Sequence, residues 1–179
     1  ITDWAATGPA RAAALLRYFN PVGAHDSGEI GEDPRGVPNN LLPYIADVAT
    51  GTRAALSVFG DDYDTRDGTG VRDYIHITDL ADGHIAAMAF LDAHQGVEVF
   101  NLGTGEGHSV LEVVAAFRRA SNRPVPYENK PRRDGDVAEY VANPAKANDL
   151  LGWRASRTLD SMCADVWRWR GKYPNGFDG

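Results

Sequence analysis

Asp67-Gly-Thr-Gly-Val-Arg-Asp-Tyr-Ile-His-Ile-Thr-Asp-Leu-Ala-Asp-Gly-His84 joins a glycine-rich turn, a short strand and the start of a helix. Its alternation sets Val71, Asp73, Ile75 and Ile77 on one side of a period-2 strand, and Arg72, Tyr74 and His76 on the other. Thr78 is placed to cap the helix that follows. Asp79 and Asp82 fall in its first turn, where carboxylates suit the positive end of the dipole. A guanidinium held on a strand beside a flexible loop suits an anion clamp, whereas a strand Arg next to an Asp equally suits a structural ion pair. The pattern leaves both readings of Arg72 open.

The chain around this stretch has 179 residues, 43% hydrophobic and 24% charged, enough for one α/β body with a real core. Its 18 Lys and Arg against 25 Asp and Glu leave a formal charge of −7, which argues against a broad nucleic-acid-binding field. Any anion site must therefore be built locally. The single cysteine, Cys163, excludes an internal disulfide and a thiolate zinc site, and it fits a reducing compartment. Its apolar helical setting reads as core. No apolar run is long enough to span a bilayer and no basic-plus-apolar leader is seen, so a cytoplasmic protein without membrane contact is expected. The opening Ile1-Thr2-Asp3-Trp4 leads us to expect a fragment.

Upstream, Ala12 to Phe19 is a nearly continuous apolar run ended by Asn20-Pro21, as in a buried strand of a parallel sheet. Side chains at the carboxyl end of such a strand face the ligand crevice of α/β sheets, which makes Tyr18, Phe19 and Asn20 either site or core residues. Residues 21–38 form a long loop of the length that usually serves as a lid or binding loop. Asn39 or Asn40 then caps a helix carrying Leu41, Ile45, Val48 and Ala49, with Gly51 as its stop; the cap amides equally suit a phosphate. Leu56 to Phe59 is a short strand.

Downstream, the helix after Thr78 presents Leu80, His84, Ala87, Met88 and Leu91 as one face, and Val97 to Leu102 is a strand. Gly103-Thr-Gly105-Glu-Gly107, with a helix from Ser109 and a strand over 125–127, imitates a dinucleotide turn with wrong spacing. Ser109 and Glu112 form a capping box, so the glycines suit a tight strand-to-helix turn. Asn129 to Val137 concentrates Lys130, Arg132 and Arg133 beside Asp134 and Asp136. That mix suits a nucleotide diphosphate or a solvated charged loop. Asn143-Pro144 starts a short helix that stops at Gly152, and Thr158 caps the last one, whose Leu159, Met162, Cys163, Val166 and Arg170 share a face. Trp153, Trp167 and Trp169 are expected to dock it. The five histidines show no metal-binding spacing, and a Ser109–His76–Asp79 triad lacks a nucleophile elbow, so neither a metal nor a catalytic residue is expected here.

Arg17-Tyr-Phe-Asn-Pro-Val-Gly-Ala-His25, Gly36-Val-Pro-Asn-Asn-Leu-Leu-Pro-Tyr44, Thr65-Arg-Asp-Gly-Thr-Gly-Val-Arg-Asp-Tyr-Ile-His76, Asn101-Leu-Gly-Thr-Gly105 and Arg132-Arg-Asp-Gly-Asp136 together resemble the UDP-glucose 4-epimerases. These are extended short-chain dehydrogenase/reductases. The resemblance implies the C-terminal substrate-binding domain of such an enzyme over 21–179, plus the last strand of its Rossmann sheet over 1–20. The family's NAD glycine motif and its Tyr-x-x-x-Lys pair are not visible in the sequence.

Carried over by position, the resemblance implies that Tyr18 and Phe19 neighbour the nicotinamide of NAD, and that Asn20, Asn40 and Leu41 meet the nucleotide-sugar. It implies that Ser57 and Phe59 face the uracil, that Arg72 and Arg133 clamp the pyrophosphate, that Asp136 holds the ribose, and that Tyr140 borders the sugar pocket and favours UDP-glucose and UDP-galactose. The implied whole interconverts these two through an NAD-dependent 4-keto intermediate and dimerises through its N-terminal half. The chain alone is expected to be inactive. Another nucleotide-sugar epimerase, decarboxylase or dehydratase, or a non-catalytic nucleotide-sugar binding module, remains an alternative.

Overall fold

A computed structural model describes residues 1–8, 11–34 and 36–177, so position 35 of the 21–38 loop lies outside the described residues. In chain order the elements are α1 (Thr2–Ala6), β1 (Ala12–Tyr18), β2 (Asn20–Val22), α2 (Leu41–Thr50), β3 (Leu56–Phe59), β4 (Val71–His76) and α3 (Ile77–Leu91). There follow β5 (Gly96–Leu102), β6 (Gly107–Ser109), α4 (Val110–Ser121), β7 (Tyr127–Lys130), β8 (Glu139–Tyr140), α5 (Ala145–Leu150) and α6 (Leu159–Lys172). The class is mixed α/β with mostly parallel pairing, as the sequence predicts.

Strand β4 is the hub. Its second half pairs in parallel with β2, placing Asn20 opposite Tyr74. Its first half is flanked by antiparallel β6 and parallel β8, placing Arg72 opposite both His108 and Tyr140. Both faces of β4 are covered, so the expected split into an apolar side and a polar side gives way to near-complete burial. Two further parallel pairs are β1–β5 and β3–β7.

Two apolar clusters result. One packs α2, α4 and α6 with β3 and Tyr74, around fully buried Leu42, Ile45, Phe117 and Cys163. The other packs β1 and β5 with α3, α5 and Trp153, around Ile75, Phe100 and Leu102. The layer holding β1 therefore draws on residues 77–102 and 145–155 as well as 12–18.

Several local expectations are met. Ser109 and Glu112 form the capping box of α4, Thr158 caps α6 by accepting from the Ser161 N–H, and Gly51 ends α2 in the left-handed region at φ 82°. Trp169 is buried and Trp167 partly so in packing α6, whereas Trp153 is buried in the other cluster, where its Nε1 donates to the Asp79 carbonyl at 3.0 Å, and does not dock α6 as expected.

Others are corrected. Helix α3 begins two residues earlier than predicted, and its cap is the His76 imidazole, whose Nδ1 accepts the Thr78 N–H at 3.0 Å, so Thr78 is helical. Its buried face carries Asp79, Leu80, Gly83, Ala87 and Phe90, while Met88 is 70% exposed. The β1–β5 layer meets the Phe90 side of the helix. Strand β1 is half-buried rather than buried and ends at Tyr18, leaving Phe19 between strands. The strand expected over 125–127 is β7, shifted to 127–130 by its pairing with β3. Helix α5 starts at Ala145, with the Asn143 Oδ1 accepting the Ala145 N–H at 3.1 Å. Among the described residues, no helix is long and apolar enough to cross a membrane.

Candidate functional site

Strand β3 alternates buried Leu56 and Val58 with exposed Ser57 and Phe59, so its outer face is free to line a cavity. That cavity, about 580 Å³, lies between β3, β4, the start of α2 and the 133–136 turn. Asn20, Asn40, Leu41, Ser57, Phe59, Arg72, Arg133 and Asp136 all line it. These residues come from five separate segments of the chain.

The cations are arranged by specific local features. A Cβ on Gly70 would lie 3.3 Å from the Arg72 Nη1, so the glycine leaves room for the guanidinium. Arg72 donates to the Val71 carbonyl at 2.8 Å, and its Nη2 lies 3.7 Å from the Asp136 Oδ1. Arg133 donates from Nε to the Asp136 Oδ2 at 2.8 Å and spreads over the Phe59 ring, 4.9 Å from its centroid. The turn between them is made by Gly135 at φ 83°. The pairing of β8 with β4 brings residues more than 60 positions apart onto one carboxylate.

Arg53, which sequence reasoning passed over, adds a third guanidinium 4.9 Å from the centre of the Tyr44 ring. Three guanidiniums against the single carboxylate of Asp136 make the lining locally cationic in a protein of net charge −7. A second cavity of about 530 Å³ holds Arg119 and Arg157, but each pairs with an acid: Arg119 with Asp160, and Arg157 with Asp79 and Asp82. The first cavity keeps uncompensated positive charge and is the better anion site.

The floor is a neutral wall: burial pushes the Tyr74 phenol well above its usual value. Tyr44 lies one helical turn from Leu41 on α2, and its i, i+3 spacing was the available signal for it.

Tyr18, Phe19 and Tyr140 stand outside this lining. Phe19 stacks on Tyr140 with ring centroids 4.8 Å apart and 18° between planes, forming a wall beside Arg72. The Tyr18 hydroxyl donates to the His84 Nε2 at 2.6 Å, because the His84 Nδ1–H is directed to the Leu80 carbonyl at 2.8 Å.

The dinucleotide-like loop has another occupant. Asp73, fully buried, accepts from the Thr104 N–H at 2.9 Å, the Thr104 hydroxyl at 2.7 Å and the Gly105 N–H at 2.8 Å. The donors a pyrophosphate would need are already used. The Asp67-Gly-Thr turn is likewise internal: Asp67 accepts from Thr69 and Ser109, and although burial opposes it, these bonds hold its carboxyl below the usual range. The imagined triad is not assembled, since Ser109 donates to Asp67, His76 to Asp165, and Asp79 accepts the Ser156 and Arg157 N–H groups. Among the described residues no cluster could hold a metal ion.

The family model described as GDP-mannose 4,6 dehydratase matches residues 8–166. The chain is 60% identical over 163 residues to the UDP-glucose 4-epimerase of Yersinia pestis, covering 91% of this chain and 48% of that protein. It is 59% identical over 165 residues to the UDP-glucose 4-epimerase of Homo sapiens, covering 92% and 47%. The crystal structure of UDP-glucose 4-epimerase from Bifidobacterium longum in complex with NAD+ and UDP superposes with a TM-score of 0.93 at 55% identity, covering 98% of this chain and 52% of that one. The chain thus spans about half the length of the relatives it matches.

Proposed function

Because this chain belongs to the GDP-mannose 4,6 dehydratase family of extended short-chain dehydrogenases/reductases, we propose that it is the UDP-sugar-binding part of a UDP-glucose 4-epimerase. The complete enzyme would interconvert UDP-galactose and UDP-glucose through an NAD-dependent 4-keto intermediate, in the cytoplasm and as a homodimer formed outside this chain. The observation that carries the reading is the convergence of Arg72 and Arg133 on Asp136 in one cationic cavity.

In this reading the two guanidiniums grip the pyrophosphate, which planar N–H forks match better than point charges do. Asp136 orients both forks and keeps lone pairs for a ribose hydroxyl. The exposed β3 edge of Ser57 and Phe59 receives the uracil, with Asn20, Asn40 and Leu41 toward the phosphates and sugar. Fixing only the UDP end leaves the sugar free to rotate. Tyr140, stacked on Phe19, borders the space in which it turns.

NAD would supply the hydride acceptor for C4 of the sugar. The exposed end of β1 at Tyr18 and the half-buried Phe19 that follows it suit a contact to its nicotinamide, whereas Asp73 fills the Gly103–Gly107 turn. Residues 1–20 are accordingly assigned to the NAD-binding domain and 21–179 to the substrate domain, with β5, α3 and α5 returning to pack beside β1.

The test is UDP-galactose turnover. The complete protein should epimerise it and this chain alone should not. Failure of the complete protein to do so, or native-rate turnover by the chain, overturns the proposal; dehydration of the UDP-hexose, or decarboxylation of a UDP-uronic acid offered in its place, would favour the family's other chemistries.

A further inference from the structure

Asn40 occupies the N-cap of α2 without capping it: no side-chain bond reaches the first turn. A capping side chain usually accepts the N–H at the second or third helical position. Here the third position is Pro43, which has no N–H. The Asn40 amide turns instead to the 21–38 loop and donates from Nδ2 to the Glu32 Oε1 at 2.8 Å. A carboxylate only accepts, so this bond fixes which end of the amide faces Glu32 and leaves the Asn40 Oδ1 turned away from it.

Glu32 is itself pinned from the far side of the molecule. Its carbonyl accepts from the Trp169 Nε1 at 3.3 Å, and Gly31 lies so close to that ring that a Cβ there would fall 2.3 Å from the Trp169 Cγ. Helix α6 thus sets the loop, the loop sets Glu32, and Glu32 sets Asn40.

We infer that Glu32 is a positioning residue for the anion end of the cavity: by holding Asn40 off the end of α2, it keeps the first-turn amides of Leu41 and Leu42 uncapped for a phosphate group of the ligand. This rests on the reading of the cavity as a UDP site. Glu32 carries a negative charge near a cationic cavity, so simple electrostatics predicts that its removal tightens anion binding. Positioning predicts the opposite.

The experiment is calorimetric titration of UDP and of uridine into the complete protein and its E32A, E32Q, N40A and E32A/N40A variants. E32A should weaken UDP about tenfold, the worth of one well-made hydrogen bond, and leave uridine unchanged. E32Q, which keeps an acceptor oxygen, should bind UDP as the parent does, and E32A/N40A should be no weaker than N40A. Unchanged or tighter UDP binding by E32A, or equal losses for UDP and uridine, overturns the inference. A parent protein that binds no UDP overturns the reading of the cavity and the inference with it.

Discussion

Replacing Asp73 with alanine tests whether the glycine turn after β5 is built around an internal anion. The carboxylate is fully buried and accepts the Thr104 N–H, the Thr104 hydroxyl, the Gly105 N–H and, at 3.2 Å, the Ala142 N–H. Asp73→Ala leaves three backbone donors without their acceptor in a space too tight for easy rearrangement, since a Cβ on Gly103 would already lie 2.5 Å from the Ala142 Cβ. The Ala142 donor is buried and its orphaning costs about 1–3 kcal/mol, whereas the Thr104 and Gly105 donors can turn partly to water and cost less, which brings the sum to roughly 2–4 kcal/mol. That is a large fraction of the ~5–15 kcal/mol that holds a typical domain together. Asp73→Asn keeps one acceptor oxygen but turns an NH₂ toward the donors, so about half the loss is expected. Urea unfolding of both variants measures it as a fall in midpoint at constant slope. A loss below about 1 kcal/mol for Asp73→Ala would refute the reasoning, because orphaning the buried Ala142 donor alone should cost that much.

Three further outcomes are expected. His76, 1% exposed, caps α3 and donates to the Asp165 Oδ2 at 3.1 Å, so His76→Ala should cost roughly 2–4 kcal/mol from a lost cap and a cavity, read in the thermal midpoint. Burial pushes the Cys163 thiol up to about 12, so the native protein should resist thiol-reactive dye at pH 8 and react only as fast as it opens; immediate labelling would contradict the packing. Hydrogen bonds from Lys172 and Tyr173 hold the Glu29 carboxyl below its ordinary 4.5. This stabilisation is present above that value and is lost as pH falls through the lower native one, so Glu29→Gln should flatten the acid limb of the stability curve.

Much of the fold is legible because it rests on local chemistry. The Ser109–Glu112 box, the Thr158 cap, the Gly51 stop and the period-2 burial of β3 are each set by a few neighbouring residues. The cap at α3 is not, since an imidazole in that role depends on Asp165, 89 positions away, holding the other ring nitrogen. The choice of Phe90 over Met88 as a buried residue depends on where β1 and β5 pack, which helical periodicity cannot state. At the site, Arg72 and Arg133 are each ambiguous as local patterns. They become a pair only through the β4–β8 pairing, and it was resemblance to a family that joined them in the sequence. Arg53 and Asp73 carried no local signal that separated a cavity cation from a surface one, or a clamp partner from a loop anchor.

The central claim is that Arg72 and Arg133 hold a pyrophosphate between them. Calorimetric titration of UDP into the complete protein and its Arg72→Ala and Arg133→Ala variants tests it most directly. Each variant should lose about 1.5–3 kcal/mol of binding free energy, the worth of a charge-assisted hydrogen bond. UDP affinity unchanged in both would contradict the account.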